Sequence, residues 1–177
     1  VPTASFNVVY QMAHLFEHYF EGGIGLRHIM DYYFALKAWQ KDIMEWNSQQ
    51  SQGMWSEGLG TPVMSPSQVM SVFRSFGMAK FASAVMSVLH EVFAMPTHYY
   101  ICEPNEKEGK RLMEEIMKGG NFGQYDTRDA ALKKGGMMKH GIWKLKRMMR
   151  LVRSYPEEAL WEPVFRVYHL IWRTIHN

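Results

Sequence analysis

The residues best suited to chemistry lie near the start of the 177-residue chain, in the string His14-Leu15-Phe16-Glu17-His18. Imidazoles four residues apart share one face of a helix and can grip one zinc ion, and a glutamate beside them can serve as base toward metal-bound water. Metal-dependent hydrolysis on that plan also needs a third protein ligand. Glu91 is the nearest candidate, although nothing in the surrounding sequence marks it. The plainer reading is a pair of packed or hydrogen-bonded histidines, and short strings of this form arise by chance. No metal ligand is assigned.

Two further features carry charge chemistry. Arg27 and Asp31 stand four apart; the plain expectation is a surface ion pair worth a few tenths of a kcal/mol, and the sharper one an arginine offered to a phosphate. The net charge of +3 is too small to imply a nucleic-acid partner for the whole chain. Its distribution is uneven. No acidic residue falls between Asp129 and Glu157, while Lys133, Lys134, Lys139, Lys144, Lys146, Arg147, Arg150 and Arg153 do. A solvated face of an amphipathic helix explains such a run most simply; a nucleic-acid or phosphate surface, an acidic partner domain and a membrane surface are the alternatives.

Helices must position these groups. Apolar residues recur at three and four throughout. Ser5 is the expected N-cap of a first helix carrying Val8, Met12, Leu15 and Tyr19, stopped by Gly22-Gly23; a second begins near Gly25 and runs to about Glu45. Residues 46 to 65 read as a long polar loop with Trp46 and Trp55 in it. Ser65-Pro66 starts a third helix. A fourth, from Met78 to Phe93, is apolar nearly all round and therefore central. Thr97 to Cys102 is the only β-like run. Glu106 to Lys118 is helical, Gly119 to Gly123 a loop, and two more helices are expected, one carrying the basic run to Arg153 and one from Glu157 to Ile175. The fold class is all-α: an irregular bundle of six to seven helices in a single domain over 1–177.

Exclusions follow from what the sequence lacks. Single Cys102 rules out an internal disulfide and suits a reducing cytoplasm. No run of about 18 apolar residues predicts a membrane span. The fifteen methionines suit adaptable core packing, and G-x-x-x-x-G-K-[ST], G-x-S-x-G, C-x-x-C and G-x-G-x-x-G are all missing.

Several strings resemble one family when taken in order. They are Phe6-Asn7-Val8-Val9-Tyr10-Gln11 with His14 and His18, Gly23-Ile24-Gly25-Leu26-Arg27-His28 leading to Asp31-Tyr32-Tyr33, Phe76-Gly77-Met78-Ala79-Lys80-Phe81, Cys102-Glu103-Pro104, Gly120-Asn121-Phe122-Gly123 and Pro156-Glu157-Glu158-Ala159-Leu160-Trp161-Glu162-Pro163. Their order resembles the C-terminal half of the uncharacterised nucleotidyltransferase family of Bacteroides-type gut bacteria. The resemblance implies a larger protein, with an upstream catalytic palm that holds a nucleoside triphosphate and magnesium on a carboxylate pair. This chain has four aspartates, Asp31, Asp42, Asp126 and Asp129, and no D-x-D among them. No catalytic residue carries over, and no cofactor is expected in this chain. The expectation is a helical substrate-side or scaffold domain, inert alone, with Arg27, Lys80 and Arg128 as the cations that meet substrate phosphates. A stand-alone interaction module using the helix from Lys133 to Arg153 is the alternative, and a zinc hydrolase at the histidine string a lesser one.

Overall fold

The structure is a computed structural model, and it describes residues 2–51 and 63–119, together with 142, 146, 149, 151, 155 and 156. Helix α1 spans Ala4–Glu21. Its N-cap is Thr3 rather than Ser5: the Thr3 hydroxyl accepts from the Phe6 N–H at 3.2 Å. The His18 carbonyl then takes the N–H groups of both Gly22 and Gly23. Gly23 has φ 103°, a left-handed conformation open to glycine, and this lets the chain turn back tightly.

Helix α2, Leu26–Ser51, is 26 residues long and reaches six residues past the expected end at Glu45. Ile29, Tyr32, Leu36 and Trp39 form its buried stripe. Trp46 is half-buried, whereas Asn47 to Ser51 are exposed. Of the expected loop, 52–62 lies outside the described residues.

The buried Ser5 has a structural task. Its hydroxyl accepts from the Met64 N–H at 3.0 Å, while the Trp39 indole donates to the Met64 carbonyl at 3.1 Å. One short segment is thereby fastened to both α1 and α2 just before α3, Pro66–Ser75, begins. Ser65 starts that helix with a full capping box: its hydroxyl accepts from the Gln68 N–H, and the Gln68 side chain accepts from the Ser65 N–H at 2.8 Å.

Helix α4, Ala79–Phe93, is the central element, as its composition predicts. Phe81, Ala82, Ala84, Val85, Met86, Val88 and Leu89 are all fully buried. Phe16 and Tyr19 of α1 pack their rings on Phe81, with centroids 5.1 and 5.3 Å away. The β-like run after Pro96 is instead a single 3-10 turn, Thr97–Tyr99, closed by the N–H groups of Tyr99 and Tyr100 on the carbonyls of Pro96 and Thr97. Helix α5, Glu106–Gly119, follows, with the Asn105 side chain accepting from the Glu108 N–H. It packs against α4 more extensively than any other pair of helices described.

An all-α architecture is therefore established, with five α-helices among the described residues instead of six or seven. No strand occurs among them, and no helix described is long and apolar enough to cross a membrane. The chain divides into two compact units, 1–125 and 126–177. In the second, Ile142, Lys146, Met149, Leu151 and Pro156 are helical, Tyr155 is not, and Leu151 and Tyr155 are buried. The rest of the two helices expected there lies outside the described residues, as does the loop expected beyond Gly119.

Candidate functional site: an imidazole cluster where α1 meets α2

The last turns of α1 and the first turn of α2 meet across the Gly22 to Gly25 turn, and three histidines gather there. His14 and His18 lie on successive turns of α1 with their Nε2 atoms 3.0 Å apart. One Nε2 must carry a proton and the other a lone pair, since two N–H groups would repel. Their rings meet edge to face at 4.2 Å. His28 approaches from α2, its ring centroid 6.2 Å from that of His18.

His28 is held in one state by its surroundings. The Gly25 N–H donates to its Nδ1 at 3.2 Å, so the neutral ring carries its proton on Nε2. Burial first, and the neighbouring His18 second, push His28 below the usual imidazole range, against the opposite pull of Asp31. The ring is thus a neutral N–H donor near neutral pH.

Arg27 stands beside His28 on the first turn of α2, exposed to solvent. The ion pair expected with Asp31 does not form: the pairs among the described residues are Lys41–Glu45, Lys118–Glu114 and the two made by Glu108.

Lys80 sits elsewhere, on the first turn of α4. Its ammonium lies 3.4 Å from the buried carboxylate of Glu108 on α5, which also accepts from Arg111 at 2.8 Å. One buried acid with two half-exposed cations ties α4 to α5, a structural use of Lys80 that its string did not reveal. Arg128 lies outside the described residues. So does most of the basic run; its Lys146 is exposed.

The glutamates named for zinc chemistry are placed away from one another. Glu17 lines an apolar groove of about 460 Å³ with Phe6, Val9, Tyr10, Phe76 and Met78. Glu91 lines a different cleft, of about 710 Å³, whose wall includes His90, Tyr100, Glu103 and Glu106. There the Tyr100 hydroxyl and His90 Nδ1 are 2.6 Å apart. Among the described residues no three His, Cys, Asp or Glu side chains are grouped to hold a metal ion.

Two features escaped the sequence. One is His28, whose approach depends on the turn at Gly22 to Gly25. The other is a ladder of rings at four-residue steps along α1: Phe6 on Tyr10 at 5.7 Å, Tyr10 on His14 at 5.9 Å, then His14 on His18. Its signal, an aromatic or histidine at 6, 10, 14 and 18, was open to simple counting. Compared with protein-family models, curated proteins and solved structures, the chain matches none.

Proposed function

We propose that this chain is the helical, substrate-side domain of a nucleotidyltransferase, without chemistry of its own, and that its imidazole corner meets the phosphates of a nucleoside triphosphate held with magnesium by a separate catalytic palm. One observation carries the reading: two of the strings that resemble the family, 6–18 and 23–33, lie on the two helices that build the corner. They put a guanidinium that makes no ion pair among the described residues beside an imidazole N–H donor, at the positive end of a 26-residue helix. Arg27 ranks ahead of Lys80 as a phosphate contact, because Lys80 already meets the Glu108 carboxylate.

Calorimetric titration of the chain with ATP, GTP, CTP and UTP in the presence of magnesium tests this. The expected result is binding that weakens with salt. A charge-assisted hydrogen bond contributes about 1.5–3 kcal/mol, so Arg27→Ala should weaken binding roughly 10- to 100-fold. Nucleotide binding untouched by Arg27→Ala, or no binding of any of the four, defeats the proposal.

A further inference from the structure

Geometry at the His14–His18 pair points to a site of a second kind, independent of any nucleotide. We infer that these two imidazoles form a two-point clamp for a late first-row divalent transition metal, of the nickel, copper and zinc class. Metal–imidazole bonds are about 2.0–2.1 Å long. Two such bonds meeting at about 90–110° hold their nitrogens roughly 2.9–3.4 Å apart. The observed Nε2 separation is 3.0 Å. The pair already stands at the spacing a metal requires, near the right-angled end of the range, which suits octahedral or square-planar ions better than tetrahedral zinc.

For the ion to enter, the shared proton must leave and each Nε2, now directed at its partner across 3.0 Å, must turn toward the ion. The Nε2 proton now shared between the rings passes by way of solvent to Nδ1 of the donor ring, a change of tautomer with no net charge lost, and both lone pairs then face the metal. His14 is exposed, and Tyr10 stacks on its ring with planes only 8° apart, restricting how the imidazole can turn. The backbone beneath is an 18-residue helix, so the i, i+4 spacing does not drift.

Among the described residues no third protein ligand completes the sphere. The His28 ring lies 6.2 Å from that of His18, but Gly25 occupies its Nδ1, which leaves its proton on Nε2, as a hydrogen-bond donor rather than a ligand. No group of three side chains able to hold a metal ion exists among the described residues. Water fills the remaining positions, so the site is open and exchangeable. The ordering of affinities follows the late transition series, with copper above nickel and zinc, and magnesium excluded by its preference for oxygen.

Isothermal titration of the whole chain with nickel, zinc and magnesium chlorides tests the site. The expected result is one nickel and one zinc per chain and no response to magnesium. His14→Ala and His18→Ala, checked for wild-type helicity by circular dichroism, should each weaken nickel binding by at least the roughly 10- to 100-fold that loss of a supporting contact costs a metal site. His90→Ala should bind as the parent does. Nickel should raise the melting temperature of the parent and not that of His14→Ala. Because His14 is exposed, its alanine variant keeps the test open if His18→Ala fails to fold. Absence of nickel binding, or equal binding by His14→Ala, overturns the site. Arg27→Ala should leave the metal titration unchanged, so failure of the nucleotide reading and failure of this one show in different experiments.

Discussion

Replacing Gly109 with alanine probes a close approach of α4 and α5. A Cβ built on Gly109 lies 2.3 Å from the Ser87 hydroxyl oxygen and 2.5 Å from the Ser87 Cβ, with the Ala84 carbonyl at 3.5 Å. Carbon atoms pack comfortably at about 3.5–4.0 Å. The hydroxyl can rotate away, but the Ser87 Cβ is fixed by the backbone, so α4 and α5 must separate by roughly 1 Å. Overpacking of this kind costs about 1–3 kcal/mol. Alanine returns about 1 kcal/mol through its better helix propensity. With backbone-fixed atoms in collision, the upper range applies and the net loss is about 2 kcal/mol. Urea denaturation followed by circular dichroism measures it. A double-mutant cycle identifies the cause: Ser87→Gly removes the obstructing Cβ and should recover most of the loss in the Gly109→Ala background, whereas Ser87→Ala keeps that carbon and should not. A Gly109→Ala variant as stable as the parent, or more stable, would refute the close approach of α4 and α5.

Three other perturbations follow from single contacts. Ser65→Ala removes the capping box of α3 and should cost about 1 kcal/mol in the same denaturation assay; an effect under about 0.3 kcal/mol would mean the cap is frayed in solution. The hydroxyl of fully buried Tyr32 has no hydrogen-bond partner among the described residues, so Tyr32→Phe should be neutral or stabilising by up to about 1 kcal/mol, and a clear loss of stability would show that the hydroxyl has a partner. Burial first, then the Glu103 carboxylate, push the Cys102 thiol up from 9.0 to about 11, with Arg74 opposing. The raised value favours the protonated, unreactive form, so at pH 8 the thiolate is about a hundredfold scarcer than in the unfolded chain. A thiol reagent should label the folded protein correspondingly more slowly, and equal rates with and without denaturant would contradict that burial.

How far the sequence predicted these elements depends on what each residue touches. The Ser65-Pro66 start and the central α4 were readable because capping and all-round burial each leave a local mark. The last turns of α2 left none. From Asn47 to Ser51 the helix faces solvent, so no apolar residue repeats at helical spacing even though the backbone continues. Periodicity reports contact with a core; hydrogen bonding is invisible to it. Thr97 to Cys102 misled for a related reason: Tyr and Ile favour strands only where a neighbouring strand exists to pair with, and among the described residues there is none. Ser5 had the right side chain for a cap, but the cap lies two residues earlier at Thr3, and the Ser5 hydroxyl serves Met64, 59 residues away. The candidate site divides the same way. His14 and His18 follow from spacing alone, while His28 and the pairing of Lys80 with Glu108 depend on how helices meet.

The ring ladder on α1 bears on what the corner is for. The opposite side of that helix, Val8, Met12, Leu15 and Tyr19, already supplies its buried contacts. Phe6 and Tyr10 remain 54% and 55% exposed, so they gain little from folding. Stacking at i, i+4 stabilises a helix by only about 0.2–0.5 kcal/mol per pair, and three pairs contribute on the order of 1 kcal/mol. Core leucines in comparable helices contribute about 2–5 kcal/mol each. Stability therefore accounts for the buried stripe and leaves the ladder largely unexplained. The same inequality makes the ladder testable. Alanine at position 6, 10 or 14 should leave the bundle folded, so any change in ligand or metal binding there reports on recognition and not on collapse of the fold.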